Sequence, residues 1–220
     1  MPTLGLQADP VLKVWPKSGL IAILDLEYTS WEGAARRMWA GPNEWREIVQ
    51  LGAIVVDVAA GFSERAAFEA LIKPVRNPKL SNYFTTLTGI TQDQIEAGAE
   101  PFEDVLRRLQ EFLAPVAVVL FNGNDGEILR ENCIARGLAF AGLDGRGFNF
   151  RPLLAQTLGK PLPELTSSDL PALAGVPFDG RAHSGLADCR AIAAALRVWL
   201  YQSARQPAAV NNDVLTRDIR

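Results

Sequence analysis

The chain has 220 residues, of which 48% are hydrophobic and 21% charged, and its formal net charge is −3. That composition excludes a disordered chain and suits one folded domain with a full core. No run approaches the roughly 18 apolar residues of a membrane span. The two cysteines, Cys133 and Cys189, show no metal-ligand spacing and give no basis for a disulfide framework. The acidic balance runs against a polyanionic partner, because phosphate neutralisation supplies most of the affinity for nucleic acid. Acids gathered around metal ions relax that constraint, and so does an enzyme that grips only a few terminal nucleotides.

Residues 1–17 carry Pro2, Asp9, Pro10, Lys13 and Pro16, without the basic start and apolar run of a signal peptide. They read as a flexible segment, and the expected compartment is the cytoplasm. Residues 18–204 read as the folded domain. Leu20 to Tyr28 is expected to be a buried strand. Trp31 to Arg46 is a polar segment punctuated by Gly and Pro, too irregular for a continuous helix. A second strand is expected over Glu47 to Val58 and a third over Phe68 to Lys73, joined around Gly61 as antiparallel neighbours. Helical spacing follows over Thr91 to Ala97 and Phe102 to Leu113, with Thr91 and Pro101 as entry signals. Val116 to Phe121 reads as a buried strand and Gly126 to Gly137 as a helix stopped by glycine. A short strand over Phe148 to Phe150 precedes helices from Pro152 to Leu158 and Ser168 to Ala174. His183 to Ser203 gives the longest helical stretch. Residues 205–220 read as a loose polar tail. Strands first, then helices alternating with strands, describe an α/β layer fold with a mixed sheet.

Asp25 and Glu27 are two apart on the first strand, so their carboxylates project from one face at the end of an apolar run. Two like charges there repel each other and lose hydration, and a hard divalent cation is a suitable remedy. The pair alone fits equally well a strand that simply ends in solvent. Asp125 follows a strand and precedes a helix; it reads as a helix cap or as a site residue at the carboxyl end of a strand. His183, the single histidine of the chain, lies in a turn rich in Gly and Ser, five residues before Asp188. That spacing suits a mobile base beside a fixed ligand, and equally a surface histidine beside a cap.

Taken together, Asp-x-Glu on an early strand, Asp after a later one and His-x4-Asp at the last helix resemble the DEDDh 3′→5′ exonucleases. Arg76-Asn-Pro-Lys-Leu-Ser81, Leu87-Thr-Gly-Ile-Thr-Gln92 and Gly180-Arg-Ala-His-Ser-Gly-Leu-Ala-Asp188 are similar to the Eri1-like exoribonuclease branch. Glu47-Ile-Val-Gln-Leu-Gly52 resembles that branch's second strand. The similarity covers about Leu20 to Tyr201.

The resemblance implies a ribonuclease H-like fold, a five-stranded mixed sheet flanked by helices. It implies two divalent ions, Mg²⁺ or Mn²⁺, held by Asp25, Glu27, Asp125 and Asp188, with His183 as general base. It places Leu87, Thr88 and Gly89 against the terminal nucleotide, and implies single-stranded 3′ ends as substrate, RNA before DNA. A DNA-directed exonuclease and a catalytically silent RNA-binding module are the alternative readings. Arg36, Arg37, Arg46, Lys73, Arg76, Lys79 and Arg181 are candidates to line the path of the strand. Eri1 relatives often carry a tryptophan just before the third acid; Asn124 stands there in this chain, so stacking on the terminal base is expected to differ.

Overall fold

The run Leu20–Tyr28 forms β1, and its side chains divide by parity. Ala22, Leu24 and Leu26 enter one apolar cluster, while Ile21 and Ile23 enter another on the opposite face. A strand apolar on both faces belongs in the middle of a covered sheet, and β1 lies there. The computed structural model describes residues 16–139 and 143–202; the expected tail at 205–220 and all but the last two residues of the expected flexible segment at 1–17 lie outside the described residues.

The sheet has the order β3-β2-β1-β4-β5. The strands β2 (Ile48–Asp57) and β3 (Ser63–Leu71) run as antiparallel neighbours on one side of β1. On the other side β4 (Val118–Phe121) pairs in parallel with β1, and β5 (Gly147–Asn149) in parallel with β4. This is the mixed five-stranded sheet that the resemblance implied. β3 begins five residues earlier than its apolar pattern suggests. As an edge strand it needs cover on one face only, so Glu64 and Arg65 can stay exposed while their backbone pairs with β2.

Helices α3 (Phe102–Leu113) and α4 (Asp125–Ile134) pack on the face that holds Ala22 and Leu24. The opposite face is covered by α5 (Arg151–Leu158), the single turn α6 (Leu170–Leu173) and α7 (Gly185–Leu196). A third cluster of Val49, Leu80, Phe84, Ile90 and Ile95 seats α1 (Asn82–Thr88) and α2 (Gln92–Gly98) beside β2. Thr91 caps α2 in a reciprocal box with Gln94, as its spacing suggests.

Helix α1 has no counterpart in the sequence reading. Ser81 and Gly89 bracket it as N-cap and left-handed C-cap, yet Thr85, Thr86 and Thr88 weaken its helical signal. The last long helix starts at Gly185 rather than His183, because His183 has φ +58 and stands outside it. Beyond Leu196 the chain continues as a π-helical turn over Arg197–Gln202.

Candidate active site

Strand parity carries Asp25 and Glu27 onto the face covered by α7. In the β1–β2 register Asp25 lies opposite Gly52 and Glu27 opposite Gln50. Gly52 has the backbone of Gly185 directly over it: a Cβ built there would stand 2.2 Å from the Gly185 carbonyl carbon. The missing side chain lets the head of α7 settle on the sheet beside Asp25. Gly185 N–H donates to Gln50 Oε1 at 3.0 Å, and Cys189 lies against the Gly52 carbonyl at 3.4 Å. Asp188, one turn into α7, is thereby brought to the carboxylates of β1.

Parallel pairing supplies the next acid. Ile23 pairs with Leu120, so the chain leaving β4 at Phe121 runs beside the carboxyl end of β1. The turn Asn122-Gly123-Asn124 delivers Asp125 there, as the first residue of α4. The N-cap position falls to Asn124, whose side chain makes no capping bond. Burial raises the Asp125 pKa against the smaller lowering effects of its own backbone, the Arg151 charge and the Leu26 backbone, which sets its carboxylate beside β1.

All four carboxylates are buried, at 5–8% exposure, and they act on one another. Burial pushes Asp25 well above the usual carboxylate range, and the charges of Asp125, Glu27 and Asp188 push it further. Burial, then Asp188 and Asp125, raise Glu27 to about 8. Asp125 and Asp188 are each raised to about 6, chiefly by burial. Glu27, His183 and Asp188 each offer one ligand atom within 4.8 Å of the others; Asp25 and Asp125 do not join that trio at this distance.

Asp188 divides its work between its two oxygens. Oδ2 accepts the His183 backbone N–H at 3.0 Å, while Oδ1 is buried without a hydrogen-bond partner among the described residues. A buried carboxylate oxygen left bare is costly. With three further acids around it, the donor set is oxygen-rich and short of positive charge, which suits hard divalent cations. His183 is half-buried, and burial lowers its pKa, so its imidazole is neutral near pH 7.

Beside this cluster opens a pocket of about 460 Å³, with Gln50, Thr88, Gly89, Gln94, Arg181 and Ser184 in its walls. Two of the three expected nucleotide contacts, Thr88 and Gly89, line it; Leu87 is partly buried on α1 and does not. The Thr88 hydroxyl is occupied, donating to Phe84 O at 3.0 Å and accepting from Ile90 N–H at 3.1 Å. Gly89 has φ +76, and its missing Cβ is replaced by the guanidinium of Arg181, whose Cζ would lie 2.3 Å from that atom.

The other candidate cations are spread out. Arg37 pairs with Glu44 and Arg46 with Glu131. Arg76 lies over Trp45 at 4.1 Å from the ring centroid. Trp39 packs on Tyr28 and donates its indole N–H to Thr29 O at 3.2 Å, so part of the irregular segment is fastened to the end of β1. Three polar residues next to the acids escaped the sequence reading: Asn122, Arg151 and Ser167. Ser167 Oγ donates to Asp25 Oδ1 at 3.3 Å. Asn122 sat in a segment read only as a loop, and no local pattern ties Ser167 or Arg151 to the distant β1.

An acid pair on the central strand, a third acid beyond its parallel neighbour, and a histidine tethered to the fourth acid place the molecule among the DEDDh 3′→5′ exonucleases. The chain matches the RNase T exonuclease family over residues 22–196, and it belongs to that family. It is 29% identical to the 3′-5′ exonuclease Snipper of Drosophila melanogaster over 205 residues, covering 83% of this chain and 69% of that protein. It is 26% identical to 3′-5′ exoribonuclease 1 of Rattus norvegicus over 183 residues, covering 79% of this chain. It spans 50% of the length of the rat protein. The nuclease domain of 3′hExo, a DEDDh family member whose structure holds rAMP, shares the fold with a TM-score of 0.69 at 23% identity. That likeness covers 82% of this chain and 90% of the domain.

Proposed function

We propose that this protein removes nucleotides from single-stranded 3′ ends, RNA before DNA, releasing nucleoside 5′-monophosphates with the help of two Mg²⁺ or Mn²⁺ ions. The observation that carries the reading is the convergence of four buried, mutually repelling carboxylates with the bare Oδ1 of Asp188 among them. Asp25, Glu27, Asp125 and Asp188 would hold the ions. When bound, such a pair neutralises the acids and stabilises the attacking and leaving oxygens of an in-line displacement.

The protein's own residues do the rest. His183, neutral at working pH, takes a proton from the attacking water as its oxygen bonds to the scissile phosphorus. The P–O3′ bond breaks, the released nucleotide keeps the phosphate, and the shortened strand leaves with a 3′ hydroxyl protonated from solvent. Asp188 Oδ2 holds the His183 backbone while the imidazole acts. The pocket between Gly89 and Ser184 is of a size to receive the terminal nucleoside. RNA preference draws support from the Eri1-like relatives, and the cytoplasm is the proposed compartment. No helix among the described residues is long and apolar enough to cross a membrane.

Matched single-stranded RNA and DNA oligonucleotides, incubated with Mg²⁺ or Mn²⁺, test the proposal. Mononucleotides released stepwise from the 3′ end, faster from RNA, are expected. Faster digestion of DNA would make the substrate DNA, and RNA binding without product would make the protein a silent binding module.

A further inference from the structure

Beneath Asp25 runs a chain of hydrogen bonds among buried or partly buried groups. Arg151 Nε donates to Asn122 Oδ1 at 3.3 Å. Asn122 Nδ2 donates to Ser167 Oγ at 3.3 Å and to Leu165 O at 2.9 Å. Ser167 Oγ donates to Asp25 Oδ1 at 3.3 Å. Asn122 is 1% exposed and Ser167 7%.

The chemistry of the two ends fixes the direction of every link. A guanidinium can only donate, so Asn122 Oδ1 faces Arg151 and its amide nitrogen faces Ser167 Oγ, which is left to donate to Asp25 Oδ1. All three donors point from a cation towards Asp25, the arrangement in which successive hydrogen bonds polarise one another. The same arginine serves the other side of the site. A Cβ built on Gly123 would have Arg151 Nη2 at 3.2 Å and Asp125 Oδ2 at 3.4 Å, so the guanidinium and the Asp125 carboxylate border the same space beside Gly123.

We propose that Arg151, Asn122 and Ser167 form a positioning relay that sets Asp25 and Asp125 at one fixed separation, so that both accept the divalent ions without rearrangement. The relay joins the β4–α4 turn, the head of α5 and the segment before α6. None of the three residues touches substrate; each acts through an aspartate. The proposal rests on the two-ion reading above.

The test is Mn²⁺ binding to the full-length protein by titration calorimetry, without nucleic acid, alongside thermal melting. Ser167→Ala is expected to weaken Mn²⁺ binding about tenfold, within the range for residues that support metal ligands. Ser167→Thr, which keeps the donor, is expected to restore most of it. Asn122→Asp keeps the size but cannot donate to Ser167, and is expected to weaken binding at least as much. A Ser167→Ala protein that binds Mn²⁺ like wild type, whatever its melting temperature, would overturn the relay and leave the two-ion reading standing. Wild-type protein that takes up no Mn²⁺ would overturn both.

Discussion

Gly52 and Gly185 touch backbone to backbone where α7 crosses β2, and neither has room for a side chain. A Cβ on Gly185 would lie 2.9 Å from Gly52 N, and one on Gly52 would lie 2.3 Å from Leu186 N. The atoms in the way are main chain, so no rotamer change can relieve the contact. Asp188 and the His183 turn are both carried by the head of this helix.

Gly52→Ala is therefore expected to destabilise the fold by about 1–3 kcal/mol through overpacking. It is also expected to lower turnover well beyond that loss, because α7 must lift away from Asp25. Gly98→Ala, where a new Cβ meets nothing within 4 Å, is the matched control and should leave both quantities near wild type. Thermal melting and nuclease rates on the two variants check this. A Gly52→Ala protein of full activity would show that the close approach does not position the site.

The crowded acids make a statement about pH. A carboxyl whose pKa is raised on folding contributes stability while protonated and loses it as pH rises through its folded value. Asp125 and Asp188 give up that contribution as pH rises from their ordinary value of 3.8 to about 6, and Glu27 from 4.5 to about 8. The ion-free protein is expected to melt at progressively lower temperature as pH goes from about 4 to about 8. Mn²⁺ should raise the melting temperature more at the alkaline end, where the sites are charged. Glu27→Gln should flatten the ion-free pH dependence near pH 8 while removing most activity. Parallel melting curves with chelator and with Mn²⁺ decide the point; a Mn²⁺ gain that shrinks with rising pH would contradict it.

His183 adopts a left-handed backbone, φ +58, which Asn tolerates better than Ala. His183→Asn is thus the cleaner variant for removing the base. It is expected to cost about 10²–10⁴ in turnover, the usual worth of a general base. Its melting temperature should stay close to wild type. Steady-state rates over pH measure the loss; unchanged turnover in the purified variant would take the base assignment away from His183.

Much of this architecture is visible in the order of the amino acids because several elements carry a strong local signature. β1 shows its apolar run, α3 its spacing and α2 its entry threonine, and strand parity puts Asp25 and Glu27 on one face, while their place among the four acids came from the family resemblance. Elements stabilised by neighbours rather than by their own pattern are less legible. β3 gains its first turn of pairing from β2 despite a polar sequence, and α1 holds through Phe84 in the third cluster despite its threonines. The acids of the site were found through a spaced pattern, whereas Ser167, Asn122 and Arg151 meet only through tertiary contacts between segments far apart in sequence. The approach of Asp188 to the β1 acids likewise depends on α7 resting against Gly52, which no window of sequence displays.

The bond between Asp188 Oδ2 and the His183 N–H ties a candidate metal ligand to the loop of a candidate base. One consequence concerns length rather than charge. A glutamate at 188 could still reach an ion, but its extra methylene would push the histidine turn outward or forfeit the tether. Inserting or deleting a residue between 183 and 188 would part the two functions even with every chemical group retained. The interval of five residues is a mechanical dimension of the catalyst, as binding on its tolerance as a bond length.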